Sequence, residues 1–133
     1  MSVYVIIDKQ SIRVGNLIWN THFHRAEKLT IDGYTNIWEG TPNSYTLKAI
    51  LVTPGWCENL GGDYVTAETE RTTYYFKGPH AHFVVYFEGP VCYAMIDNAK
   101  IEIRTVHHLQ NLMYFIAGRE LEYKPPNSYK PNE

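Results

Sequence analysis

Cysteine is scarce in this chain: Cys57 and Cys92 are the only two among 133 residues. That supply excludes a disulfide scaffold. The opening MSVYVIIDKQ has no secretory layout, so both thiols are expected to stay reduced in a cytoplasmic protein. Positive charge is not concentrated either. Twelve Lys and Arg against fourteen Asp and Glu give a net charge of -2, and no basic cluster stands out. Nucleic-acid backbone binding needs such clusters, so no nucleic-acid partner is expected. No apolar run reaches the roughly 20 residues of a membrane span, so no membrane partner is expected. Gly61-Gly62 stands alone, without the strand-loop-helix setting of a phosphate loop. No nucleophile elbow, internal repeat or linker is present.

What the chain does have is apolar and aromatic mass. It is 44% hydrophobic, with eleven Tyr, five Phe and three Trp, and only 20% charged. That composition buries a real core and suits strands. Residues 1–121 read as a single domain and residues 122–133 (EYKPPNSYKPNE) as a flexible, proline-rich tail. Short β-rich runs follow one another: Val3 to Ile7, Ile12 to Trp19, Tyr45 to Val52, Tyr64 to Thr66, Arg71 to Phe76, His80 to Glu88, Val91 to Ile96 and Lys100 to Arg104. Turns separate them at Thr41-Pro42, Pro54-Gly55, Gly89-Pro90 and Asp97-Asn98, and Asp32-Gly33 is a further turn candidate. One helix is expected: Thr105 caps it, Val106, Leu109, Leu112, Met113 and Ile116 share a face, and Gly118 ends it. The fold class is therefore mainly β, a barrel or sandwich with one C-terminal helix.

All six histidines fall in three clusters: His22-Phe23-His24, His80-Ala81-His82 and His107-His108. On a strand, residues i and i+2 share a face, so each His-x-His unit would offer two imidazoles side by side, the commonest protein ligand of a transition metal. His80 and His82 alternate with Ala81, Phe83, Val85 and Phe87, so both faces of that strand are expected to be buried, with the imidazoles kept neutral. Core histidines bonded to tyrosine or backbone would show the same pattern. His107 and His108 point about 100° apart on a helix, which suits packing or exposure better than a shared ion.

Gly15, His22, His24, Glu27 and Gly33 form G-x6-H-x-H-x2-E-x5-G. This resembles the first motif of the cupin superfamily, in which a small β-barrel holds one metal through two His, an optional Glu and a later His. Gly62-Asp63-Tyr64-Val65, Thr72-Thr73, the hairpin HFVVYFEGPVCYAMIDNAKI and the closing helix resemble the acetylacetone-cleaving and dihydroxyacetophenone-type dioxygenase cupins, and anti-sigma-factor cupins. The resemblance spans roughly residues 15–118. Where the family has its third His, near Thr72 or Thr73, this chain has none, and His80 and His82 are the nearest substitutes.

The resemblance implies a small cupin-like β-barrel or jelly roll and a divalent ion, Fe(II) first, with Zn, Mn or Ni as alternatives. His22, His24, His80 and His82 would supply its ligands. Glu27 and Glu88 would act as ligand or base, and Trp19, Trp38, Tyr75 and Tyr86 would line a substrate cavity. The activity implied is dioxygenase-like, on a small diketone or hydroxyketone. Two alternatives stand beside it: a non-catalytic barrel that sequesters a small molecule or nucleotide, as a viral inhibitor of host defence does, and a structural or assembly subunit. A homodimer paired through Val3 to Ile7 fits the first two readings.

Overall fold

The structure, a computed structural model, describes residues 4–65 and 71–123. The chain is mainly β: the described residues form nine strands in two antiparallel sheets and a C-terminal helix. It divides into two compact units, one running up to Leu51 together with Arg104–Asn111, the other Val52–Ile103 together with residues from Leu112 onward.

The first unit holds β1 (Tyr4–Val5), β2 (Leu17–Asn20), β3 (Arg25–Lys28), α1 (Ile31–Glu39) and β4 (Leu47–Ile50), with strand order β1-β4-β2-β3. β2 is shorter than the expected Ile12–Trp19 run because side-chain chemistry turns the chain before it. Asn16 Oδ1 accepts from the Arg13 amide at 2.8 Å, and Gly15 takes a left-handed φ of 95° that few other residues tolerate. β2 and β3 then form a hairpin pairing Leu17 with Lys28 and Asn20 with Arg25. Ile12, Ile18 and Leu29 make the buried cluster, covered by Ile7, Tyr34, Ile37 and Leu47.

Asp32-Gly33, expected as a turn, lies within α1 instead. Thr30 Oγ1 accepts from the Gly33 amide at 3.1 Å as an N-cap, and Gly40, with φ 67°, closes the far end. The caps decide this, since α1 buries no residue completely.

The second unit contains α2 (Pro54–Asn59), β5 (Asp63–Tyr64), β6 (Thr72–Lys77), β7 (His82–Glu88), β8 (Val91–Ile96) and β9 (Ala99–Ile103). Pro54-Gly55, expected to close a strand, starts α2: Pro sits in the first turn and Thr53 Oγ1 caps the Trp56 amide at 3.2 Å. The sheet runs β5-β6-β7-β8-β9 in chain order, a meander rather than a Greek key. The register places Thr72, Phe87, Cys92 and Ile103 in one row, and Tyr74, Val85, Ala94 and Ile101 in the next. These rows face the core. Thr73, Tyr86, Tyr93 and Glu102 lie on the other face.

Cys57 and Cys92 are both buried free thiols. Burial pushes both thiol pKa values up, that of Cys92 to about 12, so neither is a reactive thiolate. Gly62 is required by space: a Cβ there would meet the Phe76 ring at 2.6 Å and the Cys57 carbonyl at 2.9 Å.

The last helix is α3 (Val106–Ala117), whose first half belongs to the first unit and second half to the second. Thr105 Oγ1 accepts from the His108 amide at 3.3 Å, and Gly118 ends the helix with φ 71°. Its buried stripe is Val106, Leu109, Gln110, Met113 and Ala117. Ile116, expected on that face, is exposed, and the buried stripe runs through Gln110 and Ala117 instead. No described helix is long and apolar enough to cross a membrane. Of the expected tail, residues 124–133 lie outside the described residues.

Candidate functional site: a polar cleft at the start of α3

The expected metal ligands are not brought together. His22 and His24 do not lie on a strand. They occupy the Thr21–His24 turn of the β2–β3 hairpin, where Asn20 Oδ1 accepts from the amides of His22 (2.9 Å) and Phe23 (3.2 Å), and His24 takes φ 53°. The same-face rule of a strand does not hold in a turn, and both rings are exposed. His80 precedes β7 and His82 opens it; both are exposed rather than buried. His82 instead lies 5.3 Å from the Tyr75 ring. His22 and His24 belong to the first unit, His80 and His82 to the second. Among the described residues no three His, Cys, Asp or Glu side chains gather to hold a metal ion, so these donors do not fit the expected centre.

The expected carboxylates have structural partners. Glu27 accepts from Asn20 Nδ2 at 2.8 Å and from Arg25 Nε at 3.1 Å, which ties the hairpin. Glu88 pairs with Lys100 at 3.0 Å and with Arg71 at 4.0 Å. The hydrogen bond from Lys100 holds its carboxyl below the usual range, the wrong direction for a general base near neutrality.

The expected cavity aromatics are also dispersed. Trp19 stacks on Tyr4 at 6.3 Å, and Trp38 is an exposed α1 side chain under the Lys9 ammonium. Tyr75 and Tyr86 lie in the second sheet, where Arg71 covers Tyr86 at 4.6 Å. The two tryptophans thus belong to the first unit and the two tyrosines to the second.

The convergent polar groups lie elsewhere. In the first unit a cleft of about 270 Å³ is lined on its polar side by Asp8, Ser11, Arg104, Thr105, His107 and His108. Val5, Ile6 and Ala49 supply apolar wall. Local chemistry holds these residues in place. Ser11 closes a turn through its amide and hydroxyl, both bonded to the Asp8 carbonyl (3.0 and 2.8 Å). Thr105 pairs with Leu51 in a β-bridge and caps α3. Behind the cleft, buried amides lock the start of β2 to α3. Gln110 Oε1 accepts from the Leu17 amide at 2.8 Å, and Asn16 Nδ2 donates to Asn111 Oδ1 at 2.8 Å. Asn111 Nδ2 in turn donates to the Ser11 carbonyl at 2.9 Å.

His107 is the anomaly. It is only 2% exposed, its Nε2 lies 2.9 Å from Ser11 Oγ, and its Nδ1 has no hydrogen-bond partner among the described residues. A serine hydroxyl has one proton. With that proton on the Asp8 carbonyl, the imidazole donates from Nε2 and Nδ1 keeps a bare lone pair. The other tautomer would bury an unpartnered N–H, which is rarer in folded proteins than an unpartnered acceptor. Burial, reinforced by neighbouring His108 and opposed by Asp8, holds the pKa of His107 down to about 4. The ring is thus neutral at physiological pH. Burial also lowers the pKa of His108.

A cleft of about 300 Å³ in the second unit is lined by Leu60, Gly61, Arg119, Glu120 and Glu122. It holds no buried polar side chain among the described residues, and Arg119 donates to the Lys77 carbonyl.

Sequence reasoning passes over His107 because its partners Asp8 and Ser11 are nearly 100 positions away. One signal is available. Phasing the helix on Val106, Leu109, Met113 and Ala117 puts Gln110 on the buried stripe and His107, three residues before it, beside the stripe. No family model, curated protein or solved structure matches the chain.

Proposed function

We propose that this protein is a non-catalytic binder of a small polar molecule, taken up in the cleft at the start of α3. One observation carries the reading: His107, a residue that lines the cleft, is a buried, neutral imidazole with an unused acceptor. Buried polar atoms are almost always paired, and an unpaired one is costly unless something bonds to it. Three observations weigh against turnover at the same place. The Ser11 hydroxyl is engaged by the Asp8 carbonyl, the ring presents an N–H to it, and among the described residues no carboxylate orients the ring's other nitrogen. The test is native mass spectrometry of protein purified without chelators. An organic adduct lost on denaturation, and lost in His107→Phe, is the expected result. Ligand-free protein that gains no adduct from a metabolite extract would reject the reading.

A second reading is the metal-dependent cupin enzyme of small diketones or hydroxyketones, with the closed barrel and divalent ion it requires. The observation in its favour is a mainly β chain with a closing helix. The dispersed histidines weigh against it. Elemental analysis with the His22→Ala, His24→Ala double variant decides: stoichiometric metal lost in that variant would place this reading first. Under either reading β1, at an edge of its sheet, is free to pair with a second copy, which sedimentation tests directly.

A further inference from the structure

The binding reading above, on which this inference rests, leaves the ligand's chemistry open, and the charge layout of the cleft narrows it. Two kinds of group line the cleft. One kind attracts an oxyanion. Arg104 is exposed at the cleft and has no ion-pair partner among the described residues. It adjoins the start of α3, a twelve-residue helix. The first amides of a helix have no intrahelical acceptor and carry the positive end of its dipole. Among the described residues Thr105 Oγ1 takes only the His108 amide, which leaves the amide of His107, itself a lining residue.

The other kind attracts a hydrogen-bond donor, best a charged one. Asp8 is an exposed carboxylate at the cleft, with Oδ1 engaged among the described residues by the Gln10 amide alone, at 3.1 Å. His107 Nδ1, on a side chain 98% removed from solvent, is an acceptor with no donor. A simple anion would satisfy Arg104 but meet the Asp8 charge, and a simple amine would do the reverse. One molecule that carries both charges answers both sides of this cleft of about 270 Å³.

We propose that the occupant is a small zwitterion: its oxyanion, a carboxylate or phosphate, is held by Arg104 and the His107 amide at the start of α3, and its ammonium by Asp8 and His107 Nδ1. Amino acids and phosphorylated amines share this chemistry. The experiment titrates the intact chain with glycine and phosphoethanolamine as zwitterions, and with acetate, ethyl phosphate and methylammonium as half-ligands. It follows the ¹⁵N shifts of the His107 ring and of the His107 amide. Expected is binding of one or both zwitterions about tenfold tighter than any half-ligand, with Nδ1 moving from a bare to a hydrogen-bonded shift. The exposed-site variants Arg104→Gln and Asp8→Asn are each expected to reduce that affinity to half-ligand level. If glycine binds and phosphoethanolamine does not, the oxyanion is a carboxylate; the converse assigns a phosphate. Half-ligands that bind as well as zwitterions, or variants that change nothing, would overturn the zwitterion while the binding reading stands. If no probe and no metabolite extract moves these resonances, the binding reading and this inference fall together.

Discussion

The two units bury different kinds of side chain. All six buried polar residues among those described (Asn16, Asn20, Ser44, Thr105, His107 and Gln110) belong to the first unit. The second buries Phe76, Phe83, Val85, Cys92, Ala94 and Met113 around a regular meander, and its main concession to polarity is Tyr74, whose hydroxyl donates to Glu58 at 2.7 Å. An apolar core needs only shape and volume, whereas a buried amide or imidazole needs its partner in place. The second unit therefore has the makeup of a stable scaffold. The first unit gives up stability to groups that fix positions, and one of them, His107 Nδ1, is left unpaired.

The contrast can be broken from the scaffold side. Phe76→Ala empties a site with no solvent exposure and should cost about 3–5 kcal/mol, read as a fall in the denaturation midpoint. A loss near 1 kcal/mol would mean that the second unit is not tightly packed. Acid probes the other side. A free histidine takes a proton near pH 6.5, whereas folded His107 refuses it until about pH 4. Between those values the unfolded chain binds more protons, so stability falls as pH drops through the window. The contribution, on the order of 3 kcal/mol, is fully present above pH 6.5. Chemical denaturation at pH 7 and pH 4.5 measures it, and His107→Leu should flatten that part of the pH dependence.

A smaller effect is expected from Gln110→Ala, which strands the Leu17 amide and should cost about 1–3 kcal/mol. Hydrogen exchange should show faster opening at Leu17, with β7 and β8 unchanged. Smallest of all is Glu88→Gln. It removes an exposed ion pair with Lys100, so the midpoint should not move measurably at physiological salt. A clear loss there would show that the outward face of the second sheet does more than meet solvent.

Much of the second unit is legible in the residues themselves. Alternation in Lys100 to Arg104, the continuous apolar run from Phe83 to Phe87 and the turns at Gly89-Pro90 and Asp97-Asn98 give β7, β8 and β9 nearly to the residue. The ends of α3 are equally plain, because Thr105 and Gly118 perform local chemistry that a sequence displays. α1 and α2 are not legible from hydrophobic period. α1 buries nothing completely and α2 spans six residues, so both depend on the Thr30 and Thr53 caps, which a pattern search for apolar stripes overlooks. The His-x-His units mislead because the same-face rule presumes a strand, while the Asn20 side chain bends residues 21–24 into a turn.

By itself, then, the sequence determined what local forces set: a mainly β chain, the meander with its turns, and a capped C-terminal helix. Alternation, turn residues and caps act over a few positions and can be read there. Only the tertiary structure decided which polar groups meet. Ser11 reaches His107 across 96 positions and Leu17 reaches Gln110 across 93, and no short-range pattern encodes a pairing between side chains so far apart. Burial then completes the site by stripping water from the His107 imidazole. Its neutrality and unused acceptor arise only from what packs around it.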